Sequence, residues 1–277
     1  MLSYRHAFHA GNHADVLKHL VQVLVLEYLV QKTGKPLRYI DTHAGAGSYD
    51  LGDAFASKNR EFESGIARLW PRNDLPPALA RYVNLVRGCN PGGDLSRYPG
   101  SPAIAAKILQ RDQRLQLFEL HADDAARLRR WSGRDRRIQV AREDGFAALK
   151  AVLPPPEKRA LVVIDPPYEI KTDYAGAVAA LRLALRKFAT GVYLLWYPLL
   201  QRPEVVTLVR KLESMPVDSL LVELPVRAAA GAGMYGSGMF VVNPPWVLRA
   251  QLQDCLPYLH AALASTDAPS WRLCGGE

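Results

Sequence analysis

The sequence predicts a doubly wound α/β fold: a seven-stranded sheet with its last strand reversed, helices on both faces, and a small helical insertion. Three observations lead there. From residue 37 onward, seven short apolar runs closed by polar, Pro or Gly residues alternate with helix-patterned segments; they lie at 37–45 (LRYIDTHAG), 115–121 (LQLFELH), 137–144 (RIQVARED), 160–167 (ALVVIDPP), 191–198 (GVYLLWYP), 218–226 (DSLLVELPV) and 238–246 (GMFVVNPPW). Several runs are near-continuously hydrophobic, as parallel strands covered on both faces must be. The last two are joined by the Gly-rich stretch 227–238 (RAAAGAGMYGSG), which leaves no room for a crossover helix and makes them an antiparallel pair.

Taken in chain order, residues 1–36 form a tail and a helix. The apolar positions of GNHADVLKHLVQVLVLEYLVQK recur at helical spacing, Gly34 and Pro36 supply a stop, and the helix is expected beside the first strand. Residues 37–277 form the main domain. Its first Gly-rich turn ends at Gly47, yet the second strand begins only near Leu115, whereas a crossover with one helix needs ~20–30 residues. The excess is placed at 53–95, where REFESGIARLW and PPALARYVNLVRG read as helices broken by PRNDLPP and NPGGD, a small subdomain expected over the ligand face. A helical pattern over 203–214 separates two of the later strands.

Composition bounds the function. A chain of 277 residues, 49% hydrophobic and 22% charged, fits one large domain or one domain with an insertion. The longest apolar run, Leu20 to Val30, is broken by Gln22 and Glu27 and is too short for the ~20 residues of a membrane span. The N-terminus lacks the apolar core and cleavage site of a secretory signal, so a cytoplasmic location is expected. Cys89, Cys255 and Cys274 are far apart and lack metal-site spacing, which argues against a disulfide framework or a zinc site. The net charge of +8 suits a polyanionic partner such as nucleic acid, although charge alone does not separate that from an ordinary basic protein.

The chemistry gathers at strand ends. Asp41, Glu119, Asp144 and Asp165 each stand at or just past the carboxyl end of a predicted strand, where open α/β sheets bind ligands. The turn HAGAG offers Gly45 and Gly47 for close backbone approach, either to a ligand or simply as a tight strand-to-helix turn. It lacks the third glycine of the dinucleotide fingerprint, which disfavours a nicotinamide oxidoreductase. Acids around such a turn suit a cationic ligand, and S-adenosyl-L-methionine carries a sulfonium and an amine. Glu119 is placed to accept from ribose hydroxyls, or else caps a helix. Asp144, before Gly145, either accepts from an adenine amine or shapes a turn.

The stretch LVVIDPPYE runs a buried strand into Asp165, Pro166, Pro167 and Tyr168. Two prolines remove backbone donors and stiffen the chain, so the Asp165 carboxylate and the Pro166 carbonyl stand as acceptors without competing donors. Together they can take both hydrogens of an exocyclic amine while the Tyr168 ring stacks on the base. Such a grip favours a tetrahedral nitrogen with its lone pair aimed at the methyl of a sulfonium donor.

DPPY after a hydrophobic strand resembles the motif of methyltransferases acting on adenine N6 or cytosine N4, and the sheet resembles that of class I methyltransferases. Over essentially its whole length, through MLSYRHAFHAGNHADVLKH, YIDTHAGAG, YPGSP, IDPPYE, LWYP, SGM and NPPW, the chain resembles the bacterial 23S ribosomal RNA adenine-N6 methyltransferases of the RlmJ type. The resemblance implies Asp165 as catalytic acceptor, with Pro166, Pro167 and Tyr168 completing the pocket. It implies cofactor contacts at His19, His43, Ser101, Glu119, Asp144 and Gly145, with Lys18, and RNA contacts at Tyr4 with His6. The partner implied is 23S rRNA, protein-free or in an early assembly intermediate, and the chain is expected to act as a monomer.

Four of the seven histidines, His6, His9, His13 and His19, fall in the first nineteen residues, but no carboxylate or Cys spacing supports a metal, and methyl transfer from a sulfonium needs none. Imidazoles and Tyr4 near the mouth could instead meet a splayed-out base. Seven arginines in 127–142 (RLRRWSGRDRRIQVAR) either track an RNA backbone or form a solvated helix-to-strand connection, the plainer reading. The rival functions are a DNA adenine-N6 methyltransferase with the same chemistry and a non-catalytic RNA-binding protein on the same fold.

Overall fold

The computed structural model describes residues 6–32, 34–52, 59–231 and 233–276. A helix, α1 (His13–Val30), opens the chain; Asn12 caps it by accepting from the Ala14 and Asp15 N–H groups. Every residue of α1 from Ala14 to Leu26 is buried, so this helix is core on all sides rather than amphipathic. It packs on the strands Val192–Leu199 and Gly236–Val242 and the helices Pro77–Arg87 and Ser101–Ile108, and it reaches the strand Arg38–Asp41 through Gln22 Nε2, which donates to Tyr39 Oη at 3.0 Å. The expected place beside the first strand is therefore corrected: α1 lies mainly across the reversed part of the sheet.

The strands that follow are β1 (Arg38–Asp41), β2 (Ser48–Asp50), β3 (Arg97–Pro99), β4 (Arg114–Phe118), β5 (Ile138–Ala141), β6 (Ala160–Ile164), β7 (Val192–Leu199), β8 (Ser219–Pro225), β9 (Gly236–Val242) and β10 (Arg272–Gly275). Eight of them form one sheet in the order β10-β8-β9-β7-β6-β1-β4-β5. The run from β7 to β5 is parallel, and β9 lies antiparallel between β7 and β8. This is the class I methyltransferase sheet with one extra strand. The sequence reading gave seven strands with the last reversed; β9 is that reversed strand, and β10 adds an eighth on the outer edge, antiparallel to β8. All five residues of β6 (ALVVI) are buried, as its central place between β1 and β7 requires.

The covering helices are α2 (Ile66–Leu69), α3 (Pro77–Arg87), α4 (Ser101–Ile108), α5 (Ala122–Ser132), α6 (Gly145–Val152), α7 (Lys171–Lys187), α8 (Pro203–Glu213) and α9 (Leu248–Leu263). The segment between β2 and β3 carries α2 and α3, which pack against α9 and α1, and no described residue of 59–95 lines the site pocket. It ends in β3, which pairs with β2 as a two-stranded ribbon that the sequence reading did not assign. That ribbon returns the chain to the mouth of β1 and delivers Ser101 there, because Gly100 N donates to Gly47 O at 3.0 Å.

Two apolar clusters fill the two sides of the sheet. One joins α1, α3 and α9 to residues such as Tyr39, Leu117 and Val241; the other joins α6, α7 and α8 to Ile40, Val162, Tyr193 and Phe240. Alternate residues of the same strands, Tyr39 and Ile40 for instance, feed opposite sides, as strand geometry dictates.

Candidate active site

The carboxyl ends of β1, β4, β5 and β6 open into a cavity of about 400 Å³, closed on one side by residue His6 and by Lys18 and His19 of α1. This volume lies in the range of small-molecule sites. The structure brings together most of the sequence-predicted residues: His6, Lys18, His19, His43, Gly45, Ser101, Glu119, Asp144, Gly145, Asp165, Pro166 and Pro167 all line it. Tyr4 lies outside the described residues.

Three predicted residues stand elsewhere. Asp41 is fully buried behind the wall, where its carboxylate accepts from Tyr39 Oη at 2.8 Å, Ser101 Oγ at 2.7 Å and His43 N at 3.2 Å. Burial raises its pKa to about 6, although the Ser101 and Tyr39 hydrogen bonds pull the other way. It positions the lining residues Ser101 and His43 instead of meeting a ligand. Gly47 takes φ +82° and presses its backbone on Trp131; a Cβ there would stand 2.7 Å from the indole Cε3. Its role is to shape the turn, since it does not line the cavity. Tyr168 is the third correction: it was expected to stack on the base, but its ring is 4% exposed and packs against Tyr174 and Trp196. Its hydroxyl donates to Trp196 O at 2.7 Å, and its backbone holds a left-handed φ of 53°. A non-glycine residue pays for that conformation, and such strain persists only where packing fixes it. Tyr168 thereby anchors the two prolines from below.

At the centre is a line of buried charge. Lys18 Nζ lies 2.6 Å from Asp165 Oδ2 and 2.9 Å from Asp15 Oδ1, and Asp15 Oδ2 accepts from His6 Nε2 at 3.0 Å and Gly11 N at 2.9 Å. Burial alone would push the Lys18 ammonium toward neutrality; Asp15 and Asp165 outweigh it and hold its pKa above the ordinary lysine value. Asp15 is likewise opposed by burial and kept well below the usual carboxylate range by His6 and Lys18. Among the described residues Asp165 Oδ1 has no hydrogen-bond partner, so one carboxylate oxygen faces the cavity uncommitted.

Glu119 is fixed at the opposite wall: Oε2 accepts from Gly45 N at 2.8 Å and Oε1 from His121 N at 2.7 Å. Burial lifts its pKa, and each oxygen retains a lone pair for a further donor. Asp144 caps α6 through Oδ1, accepting from Phe146 N and Ala147 N, which is its turn role, and the residue also lines the cavity. Gly145 is forced: a Cβ there would stand 2.0 Å from Thr42 O. His19 Nδ1 is bonded to Tyr98 Oη at 2.7 Å, while His19 Nε2 is buried without a partner and belongs to the cavity wall.

Sequence reasoning missed Asp15, which reads as an ordinary first-turn acid of a helix, and Phe146, whose ring meets His43 edge-on at 4.9 Å and lines the cavity. The aromatic directly after Asp144-Gly145 was the available signal. Leu120 (47% exposed) and Ile170 (61% exposed) add apolar surface at the rim. No group of three or more His, Cys, Asp or Glu residues among those described could hold a metal ion.

A family model described as ribosomal RNA large subunit methyltransferase D, RlmJ, matches residues 34–273. The chain belongs to this family. Among RlmJ relatives, the ribosomal RNA large subunit methyltransferase J of Escherichia coli (strain K12) is 49% identical over 265 residues, covering 95% of this chain and 94% of that protein. The protein of the same name from Haemophilus influenzae is 46% identical, covering 98% and 97%. A crystal structure of a Legionella pneumophila protein, 36% identical, superposes with a TM-score of 0.90 over 97% of this RlmJ-family chain and 99% of its own. The fold that frames the cavity is thus that of an rRNA methyltransferase family.

The buried histidines carry a pH prediction. Burial lowers His13 and His43 to about 4 and His19 to about 3, all below the ordinary 6.5. They stay neutral in the folded protein but bind protons once unfolded, so their contribution to stability is lost as pH falls from 6.5 toward 4. Asp41, raised to about 6, opposes them by holding a proton that the unfolded chain releases. Glu119, also raised by burial, opposes them in the same way, but the three rings outnumber the two carboxyls, so unfolding takes up protons on balance below pH 6.5 and stability falls with pH. Urea midpoints measured at pH 7 and pH 5 should fall steeply; equal midpoints would contradict the burial of these rings.

Proposed function

We propose that the chain transfers the methyl group of S-adenosyl-L-methionine to the N6 amine of an adenine in 23S rRNA. The observation that carries this reading is Asp165 at the end of β6, with Oδ1 uncommitted beside Pro166 and Oδ2 clamped by Lys18.

The cavity chemistry fits the cofactor. His19 Nε2, buried and without a partner, and Ser101 would meet its methionine portion, the spare lone pairs of Glu119 its ribose hydroxyls, and Asp144 Oδ2 with Phe146 its adenine. When bound, it supplies an electrophilic methyl on a sulfonium. The residues do the rest. Asp165 Oδ1 and the Pro166 carbonyl accept the two hydrogens of the target amine, and Lys18 holds the carboxylate in position through Oδ2. The Asp165 carboxylate would stabilise the positive charge that grows on the nitrogen as it takes the methyl group from the sulfonium, which would leave as the neutral thioether. The N6 proton then leaves to Asp165 or to solvent, and no strong base is required because that proton is acidic only after transfer. An amine at this depth is reached only by an adenine turned out of its stack. A cytoplasmic site of action and a 23S rRNA partner belong to this same reading.

Two observations favour RNA over the DNA alternative: the relatives' names and the match of residues 34–273 to their family. The test is incubation with tritiated cofactor and either protein-free 23S rRNA or duplex DNA. Label should enter the rRNA; label in DNA alone would refute the substrate, and label in neither would refute the enzyme.

A further inference from the structure

Next to the site cavity lies a second groove of about 370 Å³, bounded by Ala7, by Tyr49 of β2, and by Arg127, Arg130 and Trp131 of α5. The two spaces share a wall. Tyr49 lines both, and the consecutive residues His6 and Ala7 line the cavity and the groove respectively, so the two spaces are neighbours. Trp131 rests on Gly47, the turn glycine that tolerates no side chain, and presents part of its indole at the groove surface. The one acid in the wall, Asp50, is engaged locally by accepting from Gly52 N at 2.9 Å.

The arginines of the stretch 127–142 stand in different surroundings. Arg137 is structural, bound to Asp135 and to the Ala106 and Leu109 carbonyls, and Arg142 leans on Leu120 O. Arg127 and Arg130 stand one helical turn apart on the groove side of α5, and Arg129, Arg134 and Arg136 are exposed around it. A basic groove with one aromatic face is what a single-stranded nucleic acid requires: phosphates meet the guanidiniums, and a base stacks on the ring without sequence preference.

We propose that this groove holds the unpaired RNA segment flanking the target adenine, with a base on Trp131 and adjacent phosphates on Arg127 and Arg130. The proposal rests on the RNA reading above. Its test is the double variant Arg127→Ala/Arg130→Ala, assayed for methyl transfer to protein-free 23S rRNA across a salt series. The expected result is a KM for RNA raised about tenfold, kcat at saturating RNA and cofactor affinity unchanged, and a log–log salt slope of RNA binding reduced by roughly 1.4, that is ~0.7 per lost phosphate contact. Arg127→Lys/Arg130→Lys should restore the slope, since a lysine still neutralises a phosphate. A double-alanine variant that melts with the wild type yet keeps its KM and slope overturns the groove assignment alone. A wild type that transfers no methyl to RNA removes the underlying reading and the groove with it.

Discussion

Replacing Asp165 with alanine is expected to lower kcat by roughly 10²–10³-fold at saturating RNA and cofactor, with cofactor affinity held within a few-fold. The size follows from what the carboxylate does. An adenine amine is a poor nucleophile while its lone pair is delocalised in the ring; two fixed acceptors, Asp165 Oδ1 and the Pro166 carbonyl, favour the pyramidal nitrogen that attacks. Alanine leaves one neutral acceptor and no negative charge beside the nitrogen as it becomes cationic. Because that charge exists only in the transition state, the loss falls on kcat rather than on KM. Asp165→Asn keeps one acceptor oxygen without the charge, and its rate should fall between the two. Single-turnover rates with tritiated cofactor measure this directly. An Asp165→Ala enzyme within tenfold of wild type would mean that the carboxylate is not part of the chemistry.

The second large effect concerns Asp15, which never meets the substrate. Its side chain is 1% exposed and joins Lys18, His6 and the Gly11 N–H. Asp15→Ala leaves the buried Lys18 ammonium with Asp165 as its one remaining anion and strips Gly11 N of its acceptor. Breaking one side of a buried ion network costs about 3–5 kcal/mol, which for a chain of this size lowers Tm by about 10 °C or more. Asp15→Asn, which keeps an acceptor for Gly11 N and loses only the charge, should melt between Asp15→Ala and the wild type. Thermal melts of the two variants and the wild type decide it: an Asp15→Ala protein that melts with the wild type would mean that Asp15 does not hold this network together.

Most of the architecture was legible because hydrophobic patterning reports burial. The seven predicted runs each overlap one of seven strands of the large sheet, to within two residues at their ends where they fall short, and the Gly-rich 227–238 stretch correctly implied the reversed β9. The misses share a cause. Strand β10 (RLCG) is a short, largely exposed edge, and β2 and β3 are three residues each, so none carries enough apolar residues to show a period. The helix α1 was placed beside β1 because sequence order suggests adjacency, whereas its all-round apolar surface sends it to the deeper core over β7 and β9.

At the site, residues whose task is local were readable and those whose task is tertiary were not. Asp165, Glu119 and Asp144 follow strands, and strand ends converge by geometry. Asp15 acquires its role only because α1 folds back and sets Lys18 against Asp165, 147 positions away in the chain. Tyr168 was expected to face the base because aromatic side chains after an Asp-Pro-Pro turn can stack; its left-handed backbone and the Trp196 carbonyl instead turn the ring into the core. Asp41 looked like a ligand acid and is a buried brace for Ser101 and His43.

The most direct test of the account is a crystal structure of the protein with S-adenosylhomocysteine and adenosine monophosphate. It should place the adenine N6 within hydrogen-bonding distance of Asp165 Oδ1 and the Pro166 carbonyl, on a line with the cofactor sulfur, while Lys18 retains Asp165 Oδ2. An adenine bound away from Asp165, or a cofactor seated outside the cavity between Glu119 and His19, would contradict it.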